Sequence, residues 1–203
     1  MQEIDVPNIG FDSAALPDPY VLTYYKNLED RILWLDTDVD ESWLEYCRNI
    51  IRWNMDDKGI PVEDRKPIKL FFYSYGGDAN INDAFIDVIR LSKTPVWGIN
   101  IGQACSAGCF IYLACHKRIS FPSASFLIHY GSCGFEGTYE QVMSQAAEYQ
   151  RTVERRIDYL RQMANFPEED LEENIDGEWF ISARDALKYG ICDAVISSIE
   201  EVF

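Results

Sequence analysis

Basic residues are scarce in this chain, at 18 Lys and Arg against 34 Asp and Glu, and the formal net charge of −16 works against any anionic partner. Nucleic acid and anionic membrane surfaces are not expected partners, because both are bound largely through Lys and Arg contacts to phosphate. Long hydrophobic runs are lacking as well: none reaches the roughly 18 apolar residues of a membrane span. The opening residues, Met1-Gln2-Glu3-Ile4-Asp5, carry neither the basic region nor the apolar stretch of a secretory signal, so a cytoplasmic protein is expected. Cys-x-x-Cys pairs are missing too. Cys47, Cys105, Cys109, Cys115, Cys133 and Cys192 are scattered, with only His116 and His129 for company. That pattern fits no zinc site, and most of these cysteines read as small buried hydrophobes in a reducing compartment. No metal or other cofactor is expected.

What remains is core material. Hydrophobic residues make up 47% of the 203 and aromatics 14%, enough to bury one substantial core, so a single globular domain is expected. Residues 1–23 hold Pro7, Pro17 and Pro19 without apolar periodicity and read as an extended arm, with the domain proper over 24–203.

Beyond the arm, short apolar runs alternate with amphipathic stretches. Arg31 to Leu35 suits a buried strand, and Trp43, Leu44, Cys47, Ile50 and Ile51 then recur at helical spacing behind the caps Asp40 or Ser42. Ile68 to Ser74 is a second strand. A helix follows with Ile81, Ala84, Phe85, Val88 and Leu91 on one face and Asn80 as its cap. Val96 to Ile101, Arg118 to Phe121, Ser125 to Tyr130 and Ile191 to Ile196 read as further strands. The alternation predicts parallel βαβ units with helices covering the sheet. Thr138-Tyr139-Glu140-Gln141 fits a capping box, and Val142, Ala146, Tyr149, Val153, Ile157, Leu160 and Ala164 form one apolar stripe along a helix of about 139–164. So long a helix with a single stripe suits either an oligomerisation arm or a core-packed surface helix.

Chemistry concentrates in three places. In Ile99-Asn100-Ile101-Gly102-Gln103-Ala104-Cys105-Ser106-Ala107-Gly108 an apolar strand runs through small residues into a helix, with Ser106 on the turn. A serine there can be a nucleophile at a helix N-terminus, whose free N–H groups favour developing negative charge, or simply an N-cap. Gly76-Gly77 follows a strand directly. It can aim backbone N–H groups at a ligand as an oxyanion hole does, or make a plain tight turn. His129, at the end of a strand-like run and beside glycines, is a better proton acceptor than His116, which sits beside Lys117 and Arg118 in an expected surface turn.

The order of these pieces, Gly-Gly, then Gly-Gln-Ala-Cys-Ser-Ala-Gly, then Ile-His, then Trp-Phe-Ile-Ser-Ala and Tyr-Gly-Ile-Cys-Asp, resembles the Clp protease proteolytic subunit, from about Tyr24 to Ile196. The resemblance implies an α/β crotonase-like fold of repeated β-β-α units with the long helix protruding as a handle. It makes Ser106 the nucleophile, His129 the general base, and the N–H groups of Gly77 and Ala107 the oxyanion hole. It also implies heptameric rings, single or double, around a chamber that admits short or unfolded polypeptides, and an AAA+ unfoldase as a further partner.

Three positions depart from the family pattern. The family's catalytic aspartate falls on Glu178, one methylene longer, with Asp176 as a fallback to orient the imidazole. An arginine used between rings is Gly177 here. The Gln-Pro after the histidine is Tyr130-Gly131, in the arm expected to pair with substrate by main-chain hydrogen bonds. Glu178 can be the third triad member or a solvated loop carboxylate. A divergent or phage-type member, a catalytically impaired ring subunit, a capsid-maturation peptidase of the same fold and an acyl-CoA enzyme of the wider crotonase fold are the alternatives.

Overall fold

The computed structural model describes residues 18–203. Most of the arm expected over 1–23 lies outside that range, but its last residues correct the reading. Pro19–Glu29 is a helix, α1, with Pro19 in its first turn and the Asp18 side chain accepting the Tyr20 N–H at 2.9 Å. A proline with an aspartate before it is a helix start, because the missing N–H is one the helix would leave unpaired anyway.

A parallel sheet is built from β1 (Ile32–Leu35), β2 (Ile68–Ser74), β3 (Val96–Cys105), β4 (Lys117–Ser120) and β7 (Ala194–Val195), adjacent in that order. The run Ile68 to Ser74 is apolar almost throughout because β2 is covered on both faces. The helices gather on one face: α2 (Leu44–Asp56), α3 (Ala79–Leu91) and α4 (Ala107–Ala114) bury Leu33, Leu35, Leu70 and Phe72 beneath them. The expectation that helices cover the sheet therefore holds for one face. On the other, Phe71, Ile99 and Ile119 meet Ile196 and Val202 of the C-terminal segment, and Trp34 stacks on Phe71 at 4.7 Å while remaining partly exposed.

The cap of α3 is Asp78 and not Asn80. Its carboxylate accepts the N–H groups of Asn80 and Ile81, so Asn80 is already inside the helix and supplies one of the donors that needs a partner. The capping box of α5 (Tyr139–Met163) forms as read, with Thr138 and Gln141 bonded reciprocally. Its apolar stripe is buried at Leu160 and Ala164 and half-buried at Val142, Ala146, Tyr149, Val153 and Ile157, while Tyr139 and Met143, off the stripe, stand exposed. Further along, α6 (Glu168–Asn174), β6 (Trp179–Ser182) and α7 (Ala183–Lys188) complete the chain before β7. Neither α6 nor β6 is evident from periodicity: each is too short to show a repeat.

One strand decides where the site lies. The first half of β3 pairs with β4, from Trp97↔Lys117 to Asn100↔Ser120; its second half pairs with β5 (Ser125–Ile128), from Gln103↔Ser125 to Cys105↔Leu127. At the fork sits Asn100, fully buried. Its amide donates to the Ser125 carbonyl at 2.9 Å and its Oδ1 accepts the Gly102 N–H at 3.1 Å, so the side chain satisfies main-chain groups where β3 changes partner. Replacing it by the similarly sized but apolar residue in Asn100→Leu leaves both groups buried without a partner. The expected cost is about 3 kcal/mol, read as a lower urea midpoint; an unchanged midpoint would show that the fork is held by something else.

Candidate active site

Parallel neighbouring strands end on the same side of a sheet, which is why residues 23 positions apart in sequence meet here. Ser106 follows β3 and His129 follows β5. The last rung, Cys105↔Leu127, is extended by the Ser106 N–H donating to the Leu127 carbonyl at 2.8 Å, so the serine is still fastened to β5 while the chain turns into α4.

That turn is strained. Ser106 has φ 51° and ψ −124°, a conformation that L-residues adopt at a cost of about 1–3 kcal/mol. It occupies the N-cap position of α4, yet its hydroxyl makes no capping bond. Instead Ser106 Oγ lies 2.7 Å from His129 Nε2. With the hydroxyl donating, Nε2 is the bare nitrogen and Nδ1 carries the ring proton. His116 is otherwise engaged: its Nδ1 accepts the Val96 N–H at 2.9 Å, far from this turn in the fold.

Gly76 and Gly77 lie against the serine turn. A Cβ on Gly76, at φ 98°, would stand 2.7 Å from both the Cys105 carbonyl oxygen and Ser106 Cβ. On Gly77, at φ 150°, it would run into the Val39 carbonyl. Val39 bonds to Gly76 O and to the Asp78 N–H on either side, which leaves the Gly77 N–H without a main-chain acceptor among the described residues. Ala107, the first residue of α4, likewise has no acceptor within the helix for its N–H. Both residues line one cavity of about 530 Å³ with Ser106, His129 and Glu178. Beside the serine, burial first and the Glu178 carboxylate second push the Cys105 thiol up, so it stays protonated near neutral pH and does not compete as a nucleophile.

Glu178 is brought near but not joined. It comes just before β6, which pairs antiparallel with β5 and places Trp179 opposite Ile128. One step further along that register sets Glu178 opposite His129, and the two share a second cavity that Asp176 and Gly177 also line. Among the described residues neither Glu178 nor Asp176 hydrogen-bonds to the imidazole, and both carboxylates are exposed. The third position is therefore close by register and open in geometry.

The segment after His129 is held by α5. Tyr149 donates its hydroxyl to the carbonyls of Tyr130 and Gly131 at 3.2 Å each, and Arg156 Nη1 donates to the Tyr130 carbonyl at 3.3 Å. Tyr149, Arg156 and Phe110 line the cavity, and the sequence reading assigned none of them to the site. A visible signal existed for one: Arg156 lies on the striped side of the helix, three residues after Val153 and four before Leu160, where an apolar residue is expected.

Comparison with known proteins agrees with this arrangement. The Clp protease family model matches residues 21–199. The chain belongs to the Clp protease family. It is accordingly a serine-type peptidase. Among the relatives, an ATP-dependent Clp protease proteolytic subunit of Deinococcus radiodurans is 29% identical over 180 residues, covering 88% of this chain and 86% of the relative. The proteolytic subunit 3 of Rhizobium meliloti is 31% identical over 137 residues, covering 66% and 70%. A ClpP1 mutant from Listeria monocytogenes superposes with a TM-score of 0.72 at 23% identity over 89% of this chain and 99% of that one, which shows the shared crotonase-like α/β fold.

Because the space over Gly76 is filled by the serine turn, Gly76→Ala must displace Ser106. The expected outcome is a folded protein by circular dichroism with peptide hydrolysis reduced at least about 100-fold, since a misplacement of about 1 Å at a reacting centre costs that much. Near-normal turnover would show that the turn tolerates a shift.

Proposed function

We propose that this peptidase cuts short or unfolded polypeptides internally, with Ser106 as nucleophile, His129 as general base and Glu178 orienting the imidazole. The observation that carries the reading is the 2.7 Å contact between Ser106 Oγ and His129 Nε2 at a strained turn whose hydroxyl has no capping duty. Attack by Oγ on a peptide carbonyl passes the hydroxyl proton to Nε2; collapse of the tetrahedral intermediate returns it to the leaving amine. The carbonyl oxygen, negative in that intermediate, is received by the N–H groups of Gly77 and Ala107. Water, deprotonated by the same imidazole, then releases the acyl group from Ser106.

As the proton moves onto Nε2 the ring becomes cationic while its Nδ1–H has no acceptor among the described residues. A carboxylate opposite it stabilises that state, and Glu178 is the candidate, on a register that faces His129 and in a cavity that both line. That no hydrogen bond joins Glu178 to the ring favours a second reading, a ring subunit that is catalytically impaired on its own.

The assembly proposed is a homo-oligomer, heptameric in one ring or two, formed by a single domain of residues 24–203, to which α1 adds its first residues from Pro19. The exposed Tyr139 and Met143 at the outer half of α5 support contact through that helix. Such a chamber in the cytoplasm, fed by an AAA+ unfoldase, restricts access to extended chains.

Kinetics on a short fluorogenic peptide separate the two readings. Ser106→Ala and His129→Ala are expected to lower kcat by about 10⁴-fold or more, and Glu178→Ala by roughly 10- to 100-fold. A wild type no faster than Ser106→Ala in its assembled state supports the impaired subunit. For the assembly, Met143→Glu is expected to shift sedimentation towards smaller species, and an unchanged profile removes α5 from the interface.

A further inference from the structure

The catalytic cavity has two ends. At one end His129 and Glu178 also line a neighbouring cavity with Asp176; at the other, Phe110 and Arg156 also line a smaller cavity of about 240 Å³ between α3 and α5. The leaving amine must lie toward His129, which protonates it. The residue whose carbonyl is attacked therefore places its side chain at the other end, over Phe110, one helical turn beyond Ser106, and beside Arg156.

Arg156 is conspicuously under-partnered. Its neighbour Arg155 bonds to Glu148 and Thr152. Arg156 makes one side-chain hydrogen bond, Nη1 to the Tyr130 carbonyl at 3.3 Å, and its Nε is buried without a partner. Among the described residues no carboxylate lies within ion-pair distance of it. Of the acids nearby, Asp78 caps α3 and Glu178 lies at the His129 end, while Asp83 and Asp87 line the smaller cavity opposite Arg155 and Arg156 without an ion pair to either arginine. A guanidinium held over a phenyl ring at 5.7 Å, with most of its donors unused, is built to receive a planar anion.

We propose that Arg156 makes this peptidase selective for an acidic side chain, glutamate first, on the residue that acylates Ser106. The inference rests on the reading of Ser106 and His129 given above. A glutamate carboxylate reaching past Phe110 meets the unused Nη2 and completes the coordination of the guanidinium, whereas leucine buries the charge without a partner and lysine repels it.

The test uses full-length protein in its assembled state and a series of fluorogenic peptides differing only in that residue: Glu, Gln, Leu or Lys. Wild type is expected to favour Glu over Leu by roughly tenfold or more in kcat/KM, with Gln between them and Lys poorest. Arg156→Met should invert the Glu/Leu ratio and Arg156→Lys should keep part of it. Ratios within one preparation do not depend on the fraction folded. Equal rates for Glu and Gln, a wild-type preference for Leu, or a uniform loss on all four peptides in both variants would overturn the inference while leaving the Ser106 reading intact. Absence of any Ser106-dependent hydrolysis defeats that reading and this inference with it.

Discussion

The main-chain bond from the Ser106 N–H to the Leu127 carbonyl is the constraint on which the site depends. It ties the end of β3 to the end of β5 at the residue where the chain must turn, so the serine cannot relax into an ordinary helix cap. The strain at φ 51° is thus imposed by pairing on one side and by Gly76 on the other, and its consequence is a hydroxyl aimed at His129. Strain of about 1–3 kcal/mol persists only where surrounding contacts over-determine the backbone. Here these are the β2–β3–β5 pairing, the fully buried α4 and the Asn100 bridge at the fork.

The same topology divides labour along the cavity. β5 delivers the imidazole, the antiparallel β5–β6 pairing delivers Glu178 opposite it, the turn after β2 delivers Gly77, and α5 reaches across with Tyr149 and Arg156 to hold the segment after His129. The proposed proton-transfer pair is carried on strand ends, while Glu178 stands on an exposed loop before β6. That contrast accounts for a Ser–His contact at 2.7 Å beside a carboxylate that makes no bond to the ring.

Much of this was legible in the sequence where a residue type has few physical alternatives. With two histidines in the chain, the choice of His129 was nearly forced, and a run of small residues between an apolar strand and a helix left Ser106 as the turn. The strand β2, the first half of β3 read as Val96 to Ile101, and the capping box of α5 were equally plain from periodicity and cap chemistry. The rest of β3 and its fork were not legible, because Gly102-Gln103-Ala104 carries no apolar pattern and a strand does not say that it serves two partners in succession. Nor was the start of α1, where Pro19, read as part of an extended arm, opens a helix behind Asp18. Glu178 was found through family resemblance, and its distance from the imidazole depends on side-chain geometry that no spacing encodes.

The central claim is that one hydroxyl in this chain is activated by one imidazole. Intact-mass analysis after treatment with diisopropyl fluorophosphonate, followed by peptide mapping, tests it most directly. A single adduct on Ser106 that fails to form in His129→Ala is the predicted result. No adduct in any assembly state, or one that forms on Ser106 equally fast without His129, would contradict it.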